Sequence, residues 1–324
     1  MCAPDSSVFR FGSPATDDRG SISVIVAAAL LPMCLMMAIV IDGGRVWLDR
    51  TRLQNGVEAA AMASARAWNL GGTSCDSSKL TVVSADGASP TSVTCAVTGT
   101  RTKGTLKVSG ADQSPLHFAS ILGRSSSAIS ASTTVLIGPV GGMAKLWPFA
   151  LCRDNPAVST WVNSGMNSQA VTTITFEDSN VKCAGSVSGN WSTLDYNGGA
   201  NSTGETNDWI LNGYTSTVNV GDTIQGAPGA PSSSLNVAPM IGKSVLMPLY
   251  TNPRMQGANA VYTVAGFAQV KVVAASFSGA NAKRSLTIQF QKGSVSGSSV
   301  SFTAPDFGLS AIAICSYDNK GVCS

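Results

Sequence analysis

The sequence has 324 residues, of which 44% are hydrophobic and 12% are charged, and its net charge is +3. This length exceeds one average domain, so we expect two folded units. The charged share is about half that of a typical soluble domain, which argues against a cytosolic enzyme and favours an extracytoplasmic, strand-rich protein. The small net charge, without a Lys/Arg cluster interleaved with aromatic residues, argues against nucleic-acid binding.

An uncharged apolar segment lies near the N-terminus, at residues 21–41. Its length spans roughly 30 Å of hydrocarbon at a rise of about 1.5 Å per residue. A cleaved secretory signal is the alternative. Against it, the apolar run is long, no small-x-small site precedes a polar mature start, and the helical pattern continues. We therefore predict a retained transmembrane helix at 21–41, preceded by a cytoplasmic tail at 1–20.

The charges on either side of this segment give a mixed indication of its orientation. Two arginines precede it and three follow it closely, so the positive-inside rule mildly favours a cytoplasmic C-terminal side. That rule weakens for long translocated domains, and the remainder of the chain has the composition of an exported protein. We predict a single-pass protein with its N-terminus in the cytoplasm and its C-terminal domain outside.

The helical pattern continues beyond the apolar segment as far as Trp68, and Gly71 with Gly72 then provides a stop. Gly43 and Gly44 form a weak point at which the two halves could bend. We predict one helix of about 45 to 50 residues, whose second half carries an Ala-rich stripe. Small side chains let another element approach closely, either this chain's own sheet or a neighbouring subunit.

Three motifs on this helix resemble the N-terminus of TadE/TadG-like proteins of the tight-adherence machinery that assembles Flp pili. They are Arg-Gly-Ser-Ile-Ser-Val at 19–24, Ile-Asp-Gly-Gly-Arg at 41–45, and Arg-Leu-Gln-Asn-Gly-Val-Glu-Ala-Ala-Ala at 52–61. Family members that the prepilin peptidase cleaves carry Glu five positions after the cleavage-site glycine. If that glycine were Gly20, Ile25 would occupy the position. The resemblance therefore implies the TadG-like branch, which stays anchored in the bacterial cell membrane.

Alternating apolar and polar residues predict a small sheet beyond the helix, with strands at 79–83, 92–97, 104–109 and 128–137. Residues 115–122 predict a short helix with proline in its first turn and Gly123 as its stop. A sheet packed on the second half of the long helix resembles the plan of pilin-like proteins. We predict this pilin-like domain at 42–138, and the Gly-Pro-Val-Gly-Gly segment at 138–142 is typical of a linker.

Residues 143–324 predict a second, mainly-β extracytoplasmic domain with one short helix at 205–212. The strand candidates lie at 170–176, 216–220, 244–250, 260–276, 284–291 and 309–316. The predicted fold class is α+β: a long N-terminal transmembrane helix continues into a pilin-like small β domain, followed by this second mainly-β domain.

Six of the eight cysteines lie beyond the membrane segment. An even number in an oxidising compartment indicates disulfides, although six cysteines allow fifteen pairings. Each bridge would stabilise its domain by about 2–4 kcal/mol. A zinc site is the alternative, but Cys-x-x-Cys is missing and His117 is the only histidine, so we predict no metal and no cofactor. Proximity in sequence favours Cys75 with Cys95, Cys152 with Cys183, and Cys315 with Cys323.

The sequence offers little that indicates catalysis. A Ser-His-Asp or Cys-His arrangement would require His117, which we expect to be a helix residue at the edge of a core. Glu177 with Asp195 or Asp208 could serve glycoside hydrolysis, but no spacing singles them out. We predict no catalytic residues and a non-enzymatic protein.

Aromatic residues of the second domain provide an alternative function. Exposed Trp and Tyr rings stack on sugars, whereas buried ones anchor a β domain, and both interpretations stay open. The candidates for glycan binding are Trp161, Trp191, Tyr196, Trp209 and Tyr214.

We therefore predict a membrane-anchored component of a Tad/Flp-type pilus assembly or surface-adherence apparatus that acts through protein–protein contacts. Its expected partners are the lipid bilayer and other pilus-assembly or envelope proteins, and not nucleic acid. The alternative is a surface-displayed glycan-binding or adhesion module, for which a surface glycan is the partner.

Overall fold

The computed structural model describes residues 21–75, 80–84, 89–176, 182–183, 187–188, 191–199, 202–227, 233–254, 260–280 and 283–315. The chain divides into two compact units, residues 1–51 with 113–129 and residues 52–112 with 130–324. The predicted domain boundaries at 42–138 and 143–324 concern independent folding and stay a prediction.

The first helix, α1 (Ser21–Asn69), has 49 residues with Pro32 inside it, as the helical spacing predicts. Its apolar first half exposes its large side chains, for example Val24 at 68% and Ile39 at 73%. Among the described residues, α1 is the one helix long and apolar enough to cross a membrane, and its most apolar stretch contains no buried residue. A helix suits lipid because its backbone hydrogen bonds are all internal.

Helix α1 ends where the sequence predicts, just before Gly71 and Gly72. Gly71 has a φ of +104°, its amide donates to the carbonyl of Trp68 at 3.1 Å, and the amide of Gly72 donates to the carbonyl of Ala67 at 2.8 Å. These are the two hydrogen bonds of a Schellman motif, which needs a left-handed residue after the helix. Glycine adopts that conformation without steric cost.

The first sheet has seven strands, and strands from distant parts of the sequence meet in it. In chain order they are β1 (Ser92–Gly99), β2 (Gly104–Pro115), β3 (Ser126–Met143), β9 (Val218–Asn219), β14 (Gly293–Ser296), β15 (Ser299–Val300) and β16 (Leu309–Ile314). The main path is β1-β2-β3-β16-β14, while β9 and β15 also pair with β3. The strands predicted at 92–97, 104–109 and 128–137 are confirmed, and the one predicted at 309–316 is confirmed over 309–314, while residue 316 lies outside the described residues.

The linker predicted at 138–142 is wrong, because these residues continue β3. Gly138 pairs with Ala311 of β16 in antiparallel register, and Gly142 pairs with Ser299 of β15. A β-carbon on Gly138 would lie 2.6 Å from a methyl group of Val300. Because these glycines have no side chains, neighbouring segments can approach closely, which is a common role of glycine within a strand.

The strand predicted at 79–83 is also wrong over its described part, because Thr81–Ser84 is a short 3-10 helix. Val83 is fully buried, and its carbonyl lies against Gly56 of α1. A short apolar run is compatible with either a strand or a helical turn. The contact with α1 decides between them.

The second sheet also has seven strands. In chain order they are β4 (Phe149–Cys152), β5 (Val171–Thr175), β8 (Trp191–Asp195), β10 (Thr223–Gly226), β11 (Ser244–Arg254), β12 (Val261–Ser276) and β13 (Ser285–Gln291). Their order in the sheet is β10-β8-β4-β11-β12-β13-β5, and β10 pairs with β12 as well. Two-residue strands β6 (Lys182–Cys183) and β7 (Val187–Ser188) form a separate pair.

Two helices accompany this sheet, α2 (Pro156–Asn163) and α3 (Thr203–Asn212). The sequence predicts α3, at 205–212, whereas α2 is not predicted. Asn155 caps α2 by accepting a hydrogen bond from the amide of Ala157, and Pro156 opens the helix. This cap-and-proline start is the signal that indicates a helix here.

Two apolar clusters of the second unit lie on opposite faces of the second sheet. Phe149 and Leu151 of β4 belong to one apolar cluster together with Val158 of α2. Ala150 belongs to a second cluster, which Leu309 of the first sheet joins. Successive residues of a strand point to opposite faces. Burial on both faces explains why β4 is a continuous apolar run without alternation, which hides it from a search for period two.

Candidate membrane-proximal site

The first unit joins α1 to a short segment at residues 114–127 through polar contacts that begin at the end of the apolar run. Asp42 is the first charged residue after that run and is 7% exposed. Its carboxylate accepts hydrogen bonds from the backbone amides of His117 at 2.9 Å, Phe118 at 3.1 Å and Ala119 at 2.8 Å. An ionised carboxylate among amide donors is a strong arrangement, because charge-assisted hydrogen bonds are shorter and stronger than neutral ones.

The same contacts set the protonation of Asp42. The amide of Ala119 contributes most to lowering the pKa of this carboxyl below its usual value, burial opposes the shift, and the amides of His117 and Phe118 add to the lowering. Hydrogen bonds to the charged form favour ionisation. Asp42 is therefore a carboxylate at neutral pH, although it stands beside an apolar segment.

Two further residues of α1 continue this contact at helical spacing. Arg45 donates from Nη1 to Nε2 of His117 at 2.6 Å, and the hydroxyl of Ser114 donates to Oδ2 of Asp49 at 2.7 Å. Because arginine can only donate, Nε2 of His117 is the acceptor in this contact. Residues three and four apart share one face of a helix.

His117 lies within the predicted helix but outside the helical turn that the structure contains. The sequence predicts helix over 115–122, but Pro115 ends β2, and the described helical part is a 3-10 helix over Ala119–Leu122, closed by Gly123 at a φ of 83°. Asp42 binds the amides that precede this turn, so the chain bends there before the helical turn begins. His117 is consequently an exposed bend residue rather than a helix residue at a core edge.

An apolar groove of about 600 Å³ lies beside these contacts. Side chains at both of its walls are exposed, including Ile39 at 73%, Phe118 at 39% and Ile121 at 81%. From α1 the groove is lined by Leu35, Ala38, Ile39, Asp42, Gly43 and Val46, and from the other segment by Leu116, Phe118, Ala119, Ile121, Arg124 and Ser127.

The second half of α1 is packed within the second unit. A β-carbon at Gly110 of β2 would lie 3.1 Å from the side chains of Leu53 and Val57, and the side chain of Gln54 donates to the hydroxyl of Thr133 in β3 at 3.0 Å. The Ala-rich stripe therefore faces this chain's own first sheet. Its fully buried hydrophobic members are Leu53, Val57, Ala60, Ala61 and Ala65.

Disulfides join Cys75 to Cys95 and Cys152 to Cys183, with Cα–Cα distances of 5.6 and 5.7 Å. Cys315 is also disulfide-bonded, while its predicted partner Cys323 lies outside the described residues. Asp154 lies with Cys152 and Cys183 in a group whose potential ligand atoms are within 4.8 Å of one another. Zinc binds thiolates, and both of these sulfurs are already bonded to each other.

The aromatic candidates for glycan binding are mostly part of the packed interior. Trp161 is 2% exposed, its indole nitrogen donates to the carbonyl of Phe307 at 2.8 Å, and its ring stacks on Phe290 at 5.7 Å. The backbone of Trp191 lies in β8, but its side chain lies outside the described part of the chain.

Tyr196, Trp209 and Tyr214 form a second aromatic cluster. The rings of Tyr196 and Tyr214 stack at 4.6 Å, and Trp209 meets each of them edge-on at 5.5 Å. The hydroxyl of Tyr196 donates to the carbonyl of Trp147 at 2.6 Å, and burial raises the pKa of Tyr196 well above its usual value. The stacking covers one face each of Tyr196 and Tyr214, which are half-buried, and Trp209 is 6% exposed.

The acidic candidates for catalysis have local structural partners. Asp195 is 4% exposed and accepts a hydrogen bond from the amide of Gly198 at 3.0 Å, while Asp208 accepts one from Asn212 at 2.7 Å within α3. Glu177 lies outside the described residues.

Residues 20–67 match the family model described as putative Flp pilus-assembly TadE/G-like. The resemblance predicted from the motifs of the long helix is therefore confirmed for that segment. The match covers nearly all of α1, including the apolar half, the face of Asp42, Arg45 and Asp49, and the buried stripe. No curated protein and no solved structure matches the chain.

Proposed function

We propose that this protein is a non-enzymatic, membrane-anchored component of a Tad/Flp-type pilus assembly apparatus that acts through protein–protein contacts. The single observation that carries this proposal is the family match over residues 20–67, which falls on the helix that is apolar enough to cross a membrane. The family match supplies the process, and the apolar helix supplies the location.

A retained anchor fits this helix better than a processed fibre subunit. Its matched segment has Ile25 where the resemblance would place the glutamate of cleaved members. Its second half is packed on the chain's own sheet, with Val57 and Ala61 fully buried. Because that stripe is occupied within one subunit, contacts with other proteins fall to other surfaces of the molecule.

The proposed topology places residues 1–20 in the cytoplasm and the strand-rich part outside it. Disulfides between Cys75 and Cys95 and between Cys152 and Cys183 support this side, since such bonds persist in oxidising compartments. Protease added to intact spheroplasts is expected to remove the strand-rich part while sparing the N-terminal tail.

Deletion of the gene followed by complementation tests the proposed function. We expect surface fibres to be lost on deletion and restored by the full chain. They should not be restored by a matched variant in which a cleavable secretory signal replaces residues 1–41 and releases the same exported part. Unchanged fibre numbers in the deletion strain would rule out a role in assembly, and full restoration by the released form would rule out the anchor.

A further inference from the structure

We propose that the groove between α1 and residues 116–127 is a lipid site, in which a phospholipid acyl chain of the leaflet at the Asp42 end of the span lies between Ile39, Phe118 and Ile121. This inference rests on the proposed function in one respect: α1 must span the membrane at residues 21–41. The site makes residues 116–124 a second contact with the bilayer, beside the span itself.

The position of the groove along α1 sets its depth. Leu35 and Ile39 line it, and they precede the last apolar residue, Ile41, by about 9 Å and 3 Å at the helical rise of about 1.5 Å per residue. Phe118 and Ile121 line the same groove. The amide of Phe118 donates to Asp42, so this segment lies level with the end of the span, at the boundary of acyl chains and headgroups where apolar faces of peripheral helices insert.

The large apolar side chains that line the groove are exposed, which favours an apolar environment around them. Ile121 is 81% exposed, Leu35 54% and Phe118 39%, and they form one surface with the apolar half of α1. A continuous exposed apolar patch of this kind marks a contact with a membrane or a protein. The patch is continuous with the lipid-facing side of the span, since Leu35 and Ile39 belong to both, so lipid is the occupant that the observations favour.

The polar groups around the groove suit a phospholipid. The charge of Asp42, which lines the groove, is held by the three backbone amides. The exposed Arg124 lines the same groove and can pair with a phosphate at the interface. Trp47 is 69% exposed four residues beyond Gly43, and tryptophan is enriched at membrane interfaces.

Electron paramagnetic resonance of the full chain in vesicles of phosphatidylcholine and phosphatidylglycerol tests this site. The substitutions Cys2→Ser and Cys34→Ala remove the two cysteines outside the disulfide scheme and leave the disulfide cysteines intact. A nitroxide is then attached to the cysteine introduced by Ile121→Cys. We expect relaxation by oxygen to exceed relaxation by a water-soluble nickel chelate at this position. The matched control is Lys107→Cys, an exposed position of β2, where we expect the nickel chelate to dominate.

Water accessibility at Ile121→Cys equal to that at the control would overturn the lipid site. If the protein still resists carbonate extraction in that case, the anchor stands and only this inference fails; loss of the protein from carbonate-washed vesicles refutes the anchor instead. Spin–spin broadening at Ile121→Cys that disappears on dilution with unlabelled protein would identify a second copy as the occupant and would also overturn the proposal.

A charge variant provides an independent test. Native mass spectrometry of the full chain with added phosphatidylglycerol is expected to show about fivefold weaker lipid retention for Arg124→Gln. The control is Arg254→Gln, an exposed arginine of the second sheet, which should retain lipid as the unaltered protein does. Equal retention by both variants would exclude a headgroup contact at Arg124.

Discussion

Asp42 combines a charge with a position at the end of an apolar helix. A carboxylate with little access to water is stable when several donors compensate its charge. The three backbone amides of residues 117–119 do this, and they also hold that segment against α1. The sequence marks Asp42 only as a charge flanking the span, because its partners lie about 75 residues further along the chain.

Replacement of Asp42 by asparagine should release the 114–127 segment. Asparagine has one acceptor oxygen, and its amide group would face backbone amides that also donate. We expect faster cleavage after Arg124 by trypsin in the detergent-solubilised Asp42→Asn protein. Asp208→Asn, on the exposed face of α3, is the control and should leave the cleavage rate unchanged; equal rates in all three proteins would contradict the capping role.

The effect of Asp42 should depend on pH in one direction. Its folded-state pKa is lowered below the usual value of 3.8, so its contribution to stability is complete above that pH and is lost as pH falls through the lowered value. The difference in thermal stability between the unaltered protein and Asp42→Asn should therefore be constant from pH 5 to 7 and shrink below about pH 3.8. A difference that grows on acidification would contradict this assignment.

Gly56 and Gly44 lie in the same helix but in different surroundings. A β-carbon at Gly56 would collide with the carbonyl of Val83, whereas one at Gly44 has nothing within 4 Å. We expect Gly56→Ala to lower the free energy of unfolding by about 1–3 kcal/mol. Gly44→Ala should instead be neutral or stabilising by about 0.5–1 kcal/mol, because alanine is the better helix former. Chemical unfolding of the two variants in the same detergent measures both, and equal effects would refute the packing of α1 on Val83.

At the scale of elements, the sequence predicts α1 and its stop correctly, because a continuous apolar run and two glycines are local signals. Strands β1, β2 and β3 are also predicted, because apolar and polar residues alternate along each of them. The two wrong predictions, the strand at 79–83 and the linker at 138–142, lie where contacts with distant residues determine the local structure. Glycines at 138–142 are compatible with a linker and with a tightly packed strand. Only the close approach of Val300 and Ser301 of the neighbouring segment identifies the strand.

Insertion of one residue distinguishes a strand from a linker at this place. A serine inserted after Gly141 would move the following residues of β3 to the opposite face, because strand side chains alternate with period two. We expect the variant to lose protease resistance. The control is a serine inserted after Gly297, which has a φ of +77° and open space around it. Equal resistance of both variants would restore the linker interpretation.

The Cys152–Cys183 disulfide closes a loop with a sequence separation of 31 residues between two buried cysteines. The double variant Cys152→Ala/Cys183→Ala should be less stable by about 2–4 kcal/mol in chemical unfolding of the detergent-solubilised chain. Reduction should destabilise the unaltered protein by more than this, because it also breaks the Cys75–Cys95 bridge and the disulfide of Cys315. A double variant as stable as the oxidised protein would show that this bridge adds nothing to the fold.

At the scale of the whole molecule, the α+β fold is evident in the sequence, whereas the joining of β16 to β3 is not. Residues 310 and 139 pair across more than half of the chain, and no local pattern encodes such a pairing. The candidate site is likewise predicted only in part from the sequence. Motifs on α1 indicate the family and the anchor, but the groove requires residues 116–124, whose approach to α1 depends on the fold.

Cell fractionation distinguishes a retained membrane anchor from a processed fibre subunit. Sheared surface fibres and carbonate-washed membranes are separated, and the mass of this chain is measured in each. We expect the chain in the membranes with residues 1–20 still attached, and none in the fibres. A chain that begins at Ser21 and is recovered in the fibre fraction would contradict it.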